Sequence, residues 1–297
     1  MELLLLLPIL LLAGLVPLIA GRDDDDTDSE EPQRQELSEG DDSFSGSAGS
    51  DLVEGLGGYD IIDGGGGDDS VWGGDDDDIV TGGDGDDRLW GEAGDDNLDG
   101  NAGDDVIDGG AGDDAANGGD GDDRTFLGAG NDRYGDQIGA EEDHGDDLVR
   151  GGAGNDRLSD ALGSDSLYGD TGNDELTAID MSRGAADTLS GGYGQDHLTG
   201  DDGDTMSGGQ GEDSYALVPF DYTADWAPGA PITITDHEPG EWVVAYVNMP
   251  GGLPHPTAAL RLSEDGEDTE ITVGPHVIAV LRGVTDPGTV NFRLELE

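Results

Sequence analysis

The chain carries 71 Asp and Glu against 11 basic residues in 297, a formal net charge of −60, with 55 Gly and only 33% hydrophobic residues. That sign excludes nucleic acid as a partner, and so little apolar material excludes one large oily core. Every basic residue is Arg and Cys is absent, which removes lysine-based phosphate loops and Schiff bases, disulfides and thiolate metal sites.

In chain order, Leu3 to Ala20 is apolar apart from Pro8, Gly14 and Pro17. Two readings stand for residues 1–21. One is an uncleaved membrane anchor through residues 3–20, at the short end for a spanning helix. The other is a signal peptide, although Glu2 replaces the usual basic start and Leu18 stands where a small residue is expected. Residues 22–36, headed by Asp23, Asp24, Asp25 and Asp26, predict a self-repelling, extended acidic linker.

From Leu37 to Ala216 a nine-residue phrase recurs in about nineteen copies: two Gly, any residue, Gly, an acidic or amide residue, Asp, then an apolar-centred triplet. Residues 82–90 state it in full. Asp136–Glu141 and Ala178–Met181 interrupt the frame, and one copy near Gly200 is a residue short. Glycine permits positive φ, so the first six positions predict a turn. The last three predict a short strand whose middle residue faces inward. That eighth position is large and apolar or aromatic from Phe44 and Val53 to Met206 and Tyr215, except at Ala116 and Thr125. Two copies would make one coil, and about nine coils at ~4.8 Å would make an all-β roll with a thin interior. Such an interior is too slight to offset chain entropy.

The sixth position therefore decides the matter. It is Asp in every copy: Asp42, Asp51, Asp60, Asp69, Asp78, Asp87, Asp96, Asp105, Asp114, Asp123, Asp132, Asp147, Asp156, Asp165, Asp174, Asp187, Asp196, Asp204 and Asp213. Stacked coils would bring like carboxylates within ~5 Å, where bare charges repel. Hard cations between turns would reverse that sign. Ca²⁺ suits six to eight oxygens in flexible geometry better than Mg²⁺, and the turns offer no His, Cys or Met to a transition metal. An EF-hand reading fails, because Asp95, Asn97, Asp99 and Gly100 imitate its start but Val106 stands where its bidentate Glu belongs.

The phrase resembles the nonapeptide of repeats-in-toxin (RTX), hemolysin-type calcium-binding proteins, whose fold is a parallel β-roll. The resemblance implies that sixth-position carboxylates, from Asp60 to Asp213, bind multiple Ca²⁺ with carbonyls of the Gly positions. Asp76 and Ala185 depart from the pattern at the fourth position, as do Leu127, Glu142, Asp160 and Ser182 at the first, which predicts defective sites near both frame breaks.

Residues 217–297 change character, with β-branched runs at 232–235, 242–247, 270–273 and 276–281 and an alternating 290–297. They predict a small antiparallel β module. Ile234 to Glu241 is similar to a phrase of serralysin-type C-terminal modules, with His237 in place of the aromatic; that resemblance implies a cap on the roll and a type I secretion signal. No catalytic domain is expected, since only some 36 residues precede the repeats. His144, His197, His237, His255 and His276 are scattered, His237-Glu238 is followed by Pro239 and Gly240 rather than a zinc-protease helix, and no G-x-S-x-G occurs. Trp72 and Trp90, eighteen apart, should stack outward with Phe126 two coils on and Arg88 and Arg124 alongside. They predict a cross-strand ladder, or a docking strip for a surface glycan or protein. The function expected is a secreted or surface-tethered calcium-binding protein; the alternative is an adhesin or matrix component in which the roll is a spacer and the C-terminal module, residues 217–297, binds the partner.

Overall fold

A computed structural model describes residues 34–135, 145–160, 162–179, 185–218, 230–247 and 257–296. The hydrophobic segment 3–20 and most of the acidic linker lie outside the described residues. The described residues are all-β, and successive strands fall alternately on two sheets as far as Trp242–Val247. One sheet begins Arg34–Glu36, Leu52–Gly57, Ser70–Asp75, Arg88–Ala93 and Val106–Ala111; the other begins Ser43–Ser45, Ile61–Gly66, Ile79–Asp84 and Asn97–Ala102. Through the unbroken repeats, neighbours within a sheet are parallel and offset by eighteen residues, as in Trp72↔Trp90 and Val80↔Leu98. This is the expected β-roll.

The strands are longer than the triplet suggested. A typical one runs for six residues, as in Arg88–Ala93, and takes in the next phrase's first three positions. Its burial alternates so that two residues face inward, the apolar Leu89 and then Gly91. The first glycine is thus a core position, not a turn position. A Cβ on Gly73 would lie 2.5 Å from Asp78 Oδ2 and 3.1 Å from the Gly91 carbonyl oxygen, so the carboxylate already fills the place of a side chain. Where this rule is broken, volume is exchanged along the strand. In Arg124–Ala129 the inward pair is Thr125 and Leu127, both fully buried, so the small residue has taken the apolar position and the large one the glycine position.

The second-position glycines hold φ near +100°, for example +106° at Gly110. Leu56, Glu92, Asn101 and Asp170 occupy the same left-handed conformation without being Gly, as Asp76 does at the fourth position. The roll tolerates this strain because both neighbouring coils pin the backbone.

Both frame breaks are excursions that leave the sheets continuous. Arg124 pairs with Leu148 and Arg133 with Arg157 across the first, and Ser166 pairs with Thr188 across the second. The roll also starts earlier than composition suggested, since Arg34–Glu36 pairs with Leu52–Glu54.

The change of composition after Leu217 marks no break in either sheet. Ile232–Ile234 adds in parallel to Thr205–Gln210, and Trp242–Val247 adds in parallel to Ser214–Leu217 and receives Asn291–Leu296 on its far side. Among the described residues, antiparallel pairing is confined to Ala258–Leu262, Thr269–Val273 and His276–Leu281. The interior is continuous across this change: Ile232, Ile234, Val243, Ala245 and Val247 are buried in one core with Leu198 and Met206. Trp72 and Trp90 stack outward at 4.4 Å and 4°, which is strand spacing, whereas Asp108 separates them from Phe126.

Candidate metal centre

Each turn is the three residues between strands, such as Gly85, Asp86 and Asp87. Its last residue, the sixth-position Asp, turns inward and is buried. Asp60, Asp69, Asp78, Asp87, Asp96, Asp105, Asp114, Asp123, Asp132, Asp147, Asp156, Asp165, Asp174, Asp196 and Asp213 are each no more than 3% exposed. Stacking sorts them into two rows, one on each edge of the roll.

Each row is a ladder. The N–H of one rung donates to Oδ1 of the next rung, at 2.8 Å from Asp60 to Asp78, 2.7 Å from Asp78 to Asp96 and 2.9 Å from Asp96 to Asp114. On the opposite edge the same bond measures 2.7 Å from Asp69 to Asp87 and from Asp87 to Asp105. The departures near the frame breaks do not interrupt this hydrogen-bond ladder. Asp123 still reaches Asp147 and Asp132 reaches Asp156, both at 2.9 Å, while Asp165 reaches Asp187 at 2.8 Å. Backbone register, not the length of chain between rungs, sets the contact.

The second oxygen has a different fate. Oδ2 of Asp60, Asp69, Asp78, Asp87, Asp96, Asp105, Asp114, Asp132, Asp156, Asp174, Asp196 and Asp213 is buried and accepts no hydrogen bond. Beside it stand carbonyl oxygens of first-position residues: a Cβ on Gly109 would meet the Leu127 carbonyl oxygen at 2.6 Å and Asp114 Oδ2 at 2.7 Å. Oxygen acceptors from adjacent coils therefore face one another with no donor between them. Buried carboxylate oxygens in that state are costly. Burial, opposed by the ladder hydrogen bond and reinforced by neighbouring carboxylates, pushes Asp69, Asp78, Asp105, Asp114 and Asp174 up to about 7. Asp87, Asp96, Asp132 and Asp196 are pushed up to about 6, again chiefly by burial. A donor set of carboxylate and carbonyl oxygens at this charge density fits a hard cation, Ca²⁺ above all.

One place is richer. Oxygens of Asp147, Asp160 and Asp165 lie within 4.8 Å of one another, all buried, and the Tyr134 hydroxyl donates to Asp147 Oδ2 at 3.1 Å. Asp160 occupies a first-position slot, so the substitution that predicted a defective site supplies a third carboxylate instead.

Sequence reasoning passed over a second, outer ladder. Fifth-position side chains stack in the opposite sense, accepting from the coil that follows: Asp95 N–H donates to Asp77 at 2.9 Å and Asp113 N–H to Asp95 at 2.8 Å. Further along the row becomes amide, with Nδ2 of Asn155 donating to Asn131 at 3.0 Å and that of Asn173 to Asn155 at 3.1 Å. The signal was present in the restriction of that position to acidic and amide residues in most copies.

Parallel coils with oxygen-lined, carboxylate-laddered turns define a cation-binding β-roll. The chain belongs to the RTX family: the model for the RTX calcium-binding nonapeptide repeat (4 copies) matches residues 38–71, 72–107, 99–134, 145–176 and 183–215, over half the chain. RTX nonapeptide repeats bind Ca²⁺, and the buried Asp rows fit that role. No curated protein matches the chain significantly.

Proposed function

We propose that the protein is a secreted or surface-tethered calcium-binding rod that folds on meeting Ca²⁺ outside the cell. The carrying observation is the two rows of buried Oδ2 atoms without hydrogen-bond partners. In this reading the sixth-position aspartates from Asp60 to Asp174, with Asp196 and Asp213, are the side-chain ligands, with first-position carbonyls completing the sites. Bound Ca²⁺ would supply the positive charge that turns carboxylate repulsion into cohesion between coils. The chain's own part is to hold each Oδ1 on the preceding N–H, so that Oδ2 has a single orientation toward the neighbouring turn.

Folding is then coupled to binding. In calcium-poor cytosol the acidic chain would remain extended and exportable, and at millimolar external Ca²⁺ it would condense coil upon coil. The C-terminal strands would carry the type I secretion signal, and residues 3–20 would serve as leader or membrane anchor. The Trp72–Trp90 stack is accounted for by strand spacing, so it does not call for a docked partner, and the adhesin reading turns on whether residues 217–297 alone retain a partner. Circular dichroism with and without Ca²⁺ tests the folding claim: equal strand content in excess chelator and in calcium would end it. Mass spectrometry of the exported N-terminus decides between leader and anchor.

A further inference from the structure

The ladder does not stop where the repeats do. Ser214 pairs with Trp242, so the residue before each, Asp213 and Glu241, holds the same position in successive coils. The backbone bond that marks every rung is present too: Trp242 N–H donates to the Asp213 carbonyl at 3.4 Å, as Ser214 N–H does to that of Asp196 at 2.9 Å. Glu241 is only 3% exposed, although it lies in a loop of a very acidic chain. Its Oε2 accepts the Glu238 N–H at 2.7 Å, which folds the loop back and turns the carboxylate toward the roll.

Three further observations point into this spot. Asp213 is 2% exposed, and its Oδ2 has no hydrogen-bond partner. Glu241 lies where the next rung would, close enough for the Asp213 carboxylate to act on it by charge repulsion. His237, 8% exposed with neither ring nitrogen hydrogen-bonded, packs by Tyr215 and faces the Glu241 main chain. Neighbouring Asp236 is consumed elsewhere, accepting from Ser207 Oγ at 2.7 Å and Gly209 N–H at 2.9 Å. It ties the loop down without joining the pair.

We infer that Glu241 is a cryptic rung which, with Asp213, forms one more Ca²⁺ site beyond the repeats and fastens the C-terminal strands to the roll. The inference rests on the calcium reading above. Its consequence is specific: Trp242–Val247 holds Asn291–Leu296 through its far edge, so one ion would set the register of both strands. No phrase-based search would find this rung, because the loop from Asp236 to Glu241 lacks the glycine spacing of the repeat.

The test is hydrogen–deuterium exchange of the full chain at stepped free Ca²⁺, for wild type, Glu241→Gln and Glu241→Asp. In wild type, amides of 242–247 and 291–296 should gain protection with Ca²⁺, as those of 88–111 do. In Glu241→Gln the midpoint for the C-terminal strands should rise about tenfold while that for 88–111 stays put, and Glu241→Asp should restore most of the loss. Equal midpoints for wild type and Glu241→Gln overturn the inference. So does equal damage from Gln and Asp, which would mark a packing role. If 88–111 itself gains no protection in wild type, the calcium reading fails and takes the inference with it.

Discussion

Replacing six consecutive rungs, Asp69, Asp78, Asp87, Asp96, Asp105 and Asp114, by Asn should convert a calcium-dependent roll into a calcium-independent one. Each carboxyl is held at about 6 or about 7, against an ordinary 3.8. At about 1.4 kcal/mol per pKa unit, keeping one charged in the metal-free fold costs about 3–4 kcal/mol before solvent screening and on the order of 1–2 after it. An Asn side-chain oxygen can keep the ladder bond that Oδ1 makes, and its Nδ2 would face a first-position carbonyl where Oδ2 now faces it unpaired. Amides already stack at this spacing along Asn131, Asn155 and Asn173. Six replacements would then stabilise the metal-free form by roughly 6–12 kcal/mol, the size of a whole domain's stability. The assay is far-ultraviolet circular dichroism in excess chelator at neutral pH. The six-fold variant should show strand content there and little further change with calcium. A variant as unstructured in chelator as wild type would refute the reasoning, because burial of unneutralised charge would then not be what keeps the metal-free chain unfolded.

Other expectations follow from single features. Because the folded carboxyl values lie above the unfolded 3.8, the metal-free fold loses stability as pH rises through about 6 to 7 and recovers it as pH falls toward 4. Strand content in chelator should therefore increase between pH 7 and pH 5; buried His237, held below its ordinary value, opposes this as only one group. Thr125→Val removes a hydroxyl that is fully buried with no hydrogen-bond partner, and should stabilise the calcium form by about 1 kcal/mol, measured by thermal unfolding. Asp160→Gly deletes the third carboxylate of the Asp147–Asp160–Asp165 group, and should lower the preference for a trivalent lanthanide over Ca²⁺ at that site about tenfold in competition luminescence. An unchanged preference would place Asp160 outside the coordination sphere.

The period alone made the roll, its inward residues and both carboxylate rows legible, since eighteen-residue stacking leaves little freedom once one strand is placed. What it hid was the role of glycine. The first glycine of the phrase looked like a turn residue but lies in the core, because the carboxylate five positions later occupies the space a side chain would need. Asp160 shows the same effect: judged as a missing turn glycine, it predicted a defect, whereas the structure makes it an inward-facing acid that brings a third buried carboxylate beside Asp147 and Asp165. The C-terminal strands were legible as strands but not as continuations of the sheets. Alternation fixes which side chains face inward and says nothing of what a strand pairs with, and the rung Glu241 became visible only through its register with Asp213.

Along most of the roll the outer and inner ladders join neighbouring coils by bonds of opposite sense, while each coil bonds only to its immediate neighbours. Under tension applied at the two ends, such an object has no single breaking point. It would unwind one coil at a time, each eighteen-residue coil releasing about 55–60 Å of chain after its ~4.8 Å rise is subtracted. The inserted excursions would add their own slack without changing the order of rupture. Calcium would then set the height of every step in the force trace and leave its spacing untouched.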